Sequence, residues 1–157
     1  MTDKRIVYQE SNGIASIVVP SPEFLASGGT MDDILKKSVP EDYKDSADIV
    51  EVDTVPSDRT FRNAWVTEQG KSVEIDLAKA KDLAKDKIRL ARTPKFQELD
   101  IAYQRADEAG DADAKAAVVV KKQTARDATA NTKITNADSV ANLKTGMNEV
   151  ITEVGDL

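Results

Sequence analysis

Short runs of β-branched and other apolar residues, separated by turn-forming residues, open the chain and predict β-strands. Residues 5–10 (RIVYQE) and residues 14–20 (IASIVVP) flank the turn sequence Ser11-Asn12-Gly13. Asn and Gly tolerate the positive φ angles of a tight hairpin. Residues 48–54 (DIVEVDT) place alternate side chains on opposite faces of a third strand. The pattern therefore predicts a three-stranded antiparallel sheet in the N-terminal part of the chain.

A short helix is expected between the second and third strands. Thr30 and Asp33 have the spacing of a capping box, in which each side chain hydrogen-bonds the other residue's backbone N–H. The apolar face of this helix would consist of Met31, Ile34 and Leu35. Pro40 is expected to end the helix because proline has no backbone N–H to donate.

From Ser72 onwards the apolar residues recur every three or four positions, which is typical of helices. A helix over residues 75–109 would be about 50 Å long at ~1.5 Å per residue. Pro94 either kinks this helix or begins a second one with Thr93 as its cap. Gly110 is expected to stop the helix and Asp111 to cap the next one, over residues 111–128, so that the two form a helical hairpin.

The remaining residues carry a weaker signal. Residues 129–136 (TANTKITN) have the composition of a polar linker. Residues 138–154 have a helical apolar stripe, although Gly146 interrupts it. The sequence thus predicts an α+β fold with an α+β head over residues 1–70, a helical hairpin over residues 71–128, and a linker with a C-terminal helix over residues 129–157.

Composition excludes several kinds of chemistry. The 157-residue chain has neither Cys nor His, so that a Ser-His-Asp triad, a Cys-His dyad, a disulfide and a His-containing zinc site are all impossible. Its net charge is −6, and residues 1–70 alone contain seven basic and thirteen acidic side chains. An acidic chain is poorly suited to nucleic acids or anionic membranes, because both are bound through Lys and Arg. No apolar run is long enough to span a bilayer and the N-terminus lacks a secretory signal, so we expect a soluble protein.

Two other features have ordinary structural interpretations. The carboxylates near Gly110 include Asp107, Asp111 and Asp113, but the calcium-loop spacing fails there, which favours a helix end followed by a cap. Gly28-Gly29-Thr30 precedes a helix as in phosphate-binding turns, yet Asp32 in the first turn would repel phosphate. We therefore expect no catalytic residues, no cofactor and no metal site. A hydrolase that uses carboxylates alone is disfavoured, because no acid pair lies in an aromatic-rich segment.

The most distinctive segment is DRTFRNAW at residues 58–65, which contains the only tryptophan of a chain with 4% aromatic residues. Ser57 or Asp58 is expected to cap a short helix here, with Phe61 and Trp65 one turn apart on one face. Trp and Arg are common at interface hot spots. Arg59, Phe61, Arg62 and Trp65 are therefore candidates for contact with a partner. The alternative is internal sealing of the head against the helices, with Trp65 buried and an arginine paired to Asp53 or Asp58.

Residues 49–65 (IVEVDTVPSDRTFRNAW) resemble a pattern of small proteins encoded by tailed bacteriophages. A helical region similar to residues 87–111, followed by a segment similar to KKQTARDA, commonly accompanies it, and this second half also resembles tail-assembly-chaperone-like helical segments. The resemblance covers about residues 4–128. It implies a gene of the tail or tail-fibre module and no enzymatic activity.

The sequence thus favours a non-enzymatic phage protein, either a virion component or an assembly factor, that acts by contact with other tail or tail-fibre proteins. It would be found in the virion or in the host cytoplasm during assembly. The alternative is a regulatory or host-modulating protein that is never assembled. Residues 72–109 could also pair with another chain, such as a second copy, but pairing with residues 111–128 is favoured.

Overall fold

The computed structural model describes residues 3–69 and 72–157, and the fold is α+β. The chain divides into two compact units, Met1–Asp76 and Leu77–Leu157. The first unit contains the sheets and short helices, and the second is helical. The predicted small antiparallel sheet followed by long helices is confirmed.

The first unit is built on a three-stranded sheet of order β2-β1-β3, and both pairings are antiparallel. The strands are β1 (Lys4–Gln9), β2 (Ala15–Val18) and β3 (Asp48–Glu51). β1 is the central strand, and its alternating side chains are buried on both faces of the sheet: Ile6 and Tyr8 on one, Val7 on the other. The predicted third strand is shorter than residues 48–54, because the chain turns into a 3₁₀ helix at Val52–Thr54.

One face of this sheet is covered by helical segments. Helices α1 (Pro22–Ala26) and α2 (Met31–Ser38) lie between β2 and β3, and a 3₁₀ helix at Glu41–Ser46 follows them. Ile34 and Val39 pack with Ile6 and Tyr8 in one apolar cluster. The predicted capping box of Thr30 and Asp33 is confirmed.

The opposite face of the sheet packs against Trp65 and Val73, near the C-terminal end of this unit. Val7 and Ala15 form a buried cluster with Trp65 and Val73. Trp65 belongs to a second, two-stranded antiparallel sheet made of β4 (Trp65–Val66) and β5 (Glu74–Ile75). The only tryptophan therefore anchors the chain beneath the main sheet.

The second unit contains four α-helices: α3 (Leu77–Glu108), α4 (Ala112–Asp127), α5 (Thr132–Thr135) and α6 (Val140–Gly155). Helix α3 packs against both α4 and α6. Its buried face consists of Ala80, Ala84, Ile88, Leu99 and Ala106. The predicted pairing of the two long helices is thus present between α3 and α4, and α6 also packs against α3.

The junctions of α3 follow the predicted residue chemistry. Pro94 lies inside one continuous helix, so it does not begin a second helix with Thr93 as its cap. Gly110 has a φ of +68° and its N–H donates to Asp107 O, while the Asp111 N–H donates to Ala106 O, as in a Schellman motif. The Asp111 side chain then caps α4 by accepting from the Ala114 N–H at 2.9 Å.

The prediction of a polar linker over residues 129–136 was wrong. A 3₁₀ turn at Ala128–Ala130 leads into α5, and Ile134 is completely buried. Gly146 of α6 lies so close to α5 that a Cβ atom on it would be 2.7 Å from the carbonyl oxygen of Lys133. The glycine that weakens the helical pattern in the sequence is therefore what allows the two helices to approach.

Candidate partner-contact site

The DRTFRNAW segment adopts an irregular turn rather than the predicted α-helix. The Asp58 carboxylate accepts hydrogen bonds from the Thr60 N–H at 2.9 Å and from the Thr60 hydroxyl at 2.6 Å. A single 3₁₀ turn, Arg62–Ala64, follows, and Trp65 then enters β4 opposite Ile75. The helix prediction was wrong because Trp65 satisfies its backbone groups in a β-ladder with a strand that comes later in the chain.

The two aromatic side chains of the segment are buried. Phe61 is 1% exposed and Trp65 is 2% exposed. The Trp65 ring packs with Val7, Ala15 and Val73. The internal-sealing alternative expected Trp65 to be buried, and its burial agrees with that expectation.

A surface cavity of about 580 Å³ opens beside Trp65. We call it the Arg–Trp cavity, and its lining includes Arg5, Arg59, Arg62, Trp65, Val19 and Val52. Its volume is within the range typical of ligand pockets, about 300–1,000 Å³. Three arginine residues thus line one concave surface that also has apolar walls.

Arg62 has the most unusual environment in this cavity. Its guanidinium carbon lies 4.5 Å from the centre of the Trp65 ring, which is a cation–π contact. Its Nη1 atom is buried and has no hydrogen-bond partner among the described residues. Burial, and next the positive charge of Arg59, lower the pKa of Arg62. Both effects disfavour the charged form, and an anion placed beside the guanidinium would oppose both.

The other polar side chains of the cavity differ in whether they have a partner. The indole Nε1 of Trp65 is buried without a hydrogen-bond partner in the described part of the chain. Arg5 is neutralised, because it donates to both carboxylate oxygens of Asp3. Buried donors normally have partners, so that two orphaned donors on residues that line one cavity are notable.

The predicted pairing of an arginine with Asp53 or Asp58 does not occur. Within residues 3–69 and 72–157, neither Arg59 nor Arg62 forms an ion pair with an acidic side chain. The negative charge of Glu10 opposes the lowering of the Arg62 pKa, but the Glu10 carboxylate accepts hydrogen bonds from the side chains of Asn12 and Ser16 and not from Arg62. The structure thus separates the segment into buried aromatic residues and arginines without an acidic partner.

The remaining sequence candidates have structural roles. Asp107 pairs with Lys115, and Asp111 caps α4. In the described residues no three acidic side chains lie close enough together to hold a metal ion. Thr30 is engaged in the capping box, and Gly28 has a φ of +94° in the preceding turn.

The helical unit has a cavity of its own, of about 540 Å³, next to the end of α4. Its lining includes Thr124, Asn131, Val150 and Glu153. Glu153 is already paired with Lys133 at 2.5 Å. This cavity lacks a buried charged group without a partner, as far as the described residues go.

Comparisons with protein-family models, with curated proteins and with solved structures gave no match to this chain. Among the described helices, none has both the length and the apolar character that crossing a bilayer requires.

Sequence reasoning identified Arg59, Arg62 and Trp65 but not the cavity they line. Arg5, Val19 and Val52 come from separate strands or their ends, and nothing in their local sequence marks them. Only the pairing of β1 with both β2 and β3 brings these positions together.

Proposed function

We propose that this protein is a non-enzymatic component or assembly factor of the tail or tail-fibre module of a tailed bacteriophage, and that it acts by protein–protein contact. The resemblance of residues 49–65 to small phage proteins supports the phage setting. Its partners would be other structural proteins of the tail, in the virion or in the host cytoplasm during assembly.

One observation carries the contact part of this proposal. Arg59 and Arg62 lie beside a cavity without an acidic partner within the described residues, while Trp65 forms the cavity wall. Exposed or half-buried arginines next to a buried aromatic ring have the composition of interface hot spots. A purely internal role would leave the buried Nη1 atom of Arg62 without a partner among the described residues.

Mass spectrometry of purified virions, combined with deletion of the gene, tests the proposal. A virion component is expected among the particle proteins. An assembly factor is expected to be absent from particles, and its deletion should yield tail-defective particles. Deletion without any effect on particles, for a protein that is also absent from them, would contradict both forms.

The alternative is a regulatory or host-modulating protein. It predicts early transcription, away from the structural genes, and particles of normal composition after deletion. Measuring the time of transcription during infection therefore separates the two proposals.

A further inference from the structure

The Arg–Trp cavity concentrates positive charge on a unit that is otherwise acidic. Residues 1–70 carry a net charge of −6. Several basic side chains of this unit are already paired: Lys4 with Glu51, Arg5 with Asp3 and Lys44 with Glu41. Arg59 and Arg62 have no ion pair among the described residues, although acidic side chains outnumber basic ones. Lys36 and Lys37 of α2 also lack an ion pair within the described part of the chain, but Arg59 and Arg62 are the two such basic residues that line a cavity together.

A half-buried guanidinium without a counter-ion is an unfavourable arrangement that an anion would relieve. Removing a charged group from water destabilises it unless it is paired and hydrogen-bonded. Arg59 adds a like charge close to Arg62. A bound anion would attract both guanidinium groups, and guanidinium groups present parallel N–H donors that match the two oxygens of a carboxylate.

The walls of the cavity favour a ligand that also has apolar surface. Val19 is 59% exposed and Val52 is 39% exposed, and both border the cavity. Ile17, Val55 and Pro56 also line it. An inorganic anion would leave these aliphatic side chains in water, whereas a peptide segment with apolar residues beside an acidic one would cover them.

We infer that the Arg–Trp cavity binds the side-chain carboxylate of an Asp or Glu in a partner protein, with apolar neighbours of that residue packed on Val19 and Val52. The inference rests on the proposed function only in taking the ligand to be a protein. A singly charged carboxylate suits the site better than a phosphate group, because the net charge of −6 on residues 1–70 opposes each added negative charge.

The structure provides an internal reporter for this binding. Trp65 is the only tryptophan of the chain and forms part of the cavity wall, in contact with Arg62. A ligand that engages Arg62 changes the charge and the contacts next to the indole ring. Intrinsic fluorescence therefore follows occupancy of the cavity without a label.

A selection from a random heptapeptide library on the full chain tests the inference. We expect enriched peptides that contain Asp or Glu beside an apolar residue, and synthetic copies that change the Trp65 fluorescence on titration. Replacing the acidic residue of a peptide by Asn or Gln should weaken binding about tenfold or more, as expected for loss of a charge-assisted hydrogen bond.

Two variants of the protein complete the test. Arg59→Gln should weaken binding by a similar factor, and because Arg59 is exposed we expect this variant to fold normally, which circular dichroism would check. Lys36→Gln removes the same charge from an exposed position of α2 and should bind like the parent.

The inference would be overturned by the absence of any enriched peptide, by a consensus without acidic residues, or by equal effects of Arg59→Gln and Lys36→Gln. Displacement of a bound peptide by millimolar inorganic phosphate but not by acetate would also overturn it, in favour of a phosphate ligand. None of these results bears on virion composition, so they would leave the phage-tail proposal to its own test.

Discussion

Trp65 combines two roles that are usually held by different residues. Its ring is almost completely buried and packs with Val7, Ala15 and Val73, so it belongs to the core of its unit. The same ring supports the guanidinium of Arg62 at 4.5 Å. The core therefore positions a charged group at the cavity, which links the stability of the unit to the shape of the candidate site.

Replacing Trp65 by Ala should lower the free energy of unfolding of the first unit by about 3–5 kcal/mol, the usual loss for a large buried aromatic side chain. Urea denaturation followed by circular dichroism measures this change, since the variant has no tryptophan fluorescence. Trp65→Phe keeps much of the buried volume and should lose distinctly less. A Trp65→Ala variant as stable as the parent but deficient in partner binding would mean that the ring acts mainly as a contact residue.

Gly146 offers a second test at the level of one residue. In most helices Gly→Ala is stabilising by up to about 1 kcal/mol. Here the new Cβ would lie 2.7 Å from the Lys133 carbonyl oxygen, which belongs to the backbone and cannot move away alone. Gly146→Ala should therefore lower the melting temperature.

The control for that change is in the same helix. Gly155, the last residue of α6, has nothing within 4 Å of an added Cβ. Gly155→Ala should leave the melting temperature unchanged or raise it. Equal stabilisation by both substitutions would contradict the close approach of α5 and α6.

Helix α2 shows how a single element depends on its cap. The Thr30 side chain accepts from the Asp33 N–H at 3.2 Å, and the Asp33 carboxylate accepts from the Thr30 N–H at 3.1 Å. Hydrogen bonds from the Thr30 side chain, and next from its backbone, lower the pKa of Asp33. The charged carboxylate is therefore the form that the folded helix favours.

This cap predicts a pH dependence. Because the folded pKa of Asp33 is below its ordinary value of 3.8, its stabilisation is fully present above that pH and is lost as the pH falls through the folded pKa. Asp33→Asn should reduce the loss of melting temperature between pH 5 and pH 2. If the variant and the parent lose the same number of degrees of melting temperature between pH 5 and pH 2, this role of Asp33 is contradicted. The matched control is Asp32→Asn. Asp32 is exposed in the same helical turn, and among the described residues it makes no pair of hydrogen bonds like that between Asp33 and Thr30.

The elements that the sequence predicted well are those governed by local spacing. The strands near the N-terminus, the capping box and the Gly110–Asp111 junction all depend on residues a few positions apart. The helix predicted around Trp65 failed because β4 pairs with β5, a long-range contact that local spacing does not contain. The linker prediction failed similarly, because a single apolar residue, Ile134, is buried by tertiary packing.

The candidate site was only partly predictable for the same reason. The composition of DRTFRNAW alone singles out Arg59, Arg62 and Trp65. Arg5 and Val19 join them only through the sheet topology. The expected pairing of an arginine with Asp53 or Asp58 is absent among the described residues, where the Asp58 carboxylate instead accepts hydrogen bonds from the backbone and side chain of Thr60.

At the scale of the whole molecule, the division into two compact units has a testable consequence. The core of the helical unit is contributed by residues on all four of its helices, among them Ile88, Ala125, Ile134 and Leu143. A fragment of residues 77–157 should therefore keep a helical circular dichroism spectrum and unfold cooperatively. Leu143→Ala in this fragment should lower its stability by about 2–5 kcal/mol. A fragment without helical signal would show that this unit depends on the rest of the chain.

The most direct test of partner contact through the Arg–Trp cavity, under the proposed phage setting, is site-specific photo-crosslinking in infected cells that express this gene. A photoreactive amino acid would replace Ser57, an exposed residue of the cavity lining, and in a control it would replace Asp42, an exposed residue of the 3₁₀ helix at Glu41–Ser46. Mass spectrometry should identify a tail or tail-fibre protein crosslinked from position 57, with the attachment near an Asp or Glu, and not from position 42. No adduct at position 57, or the same adducts from both positions, would contradict contact through this cavity.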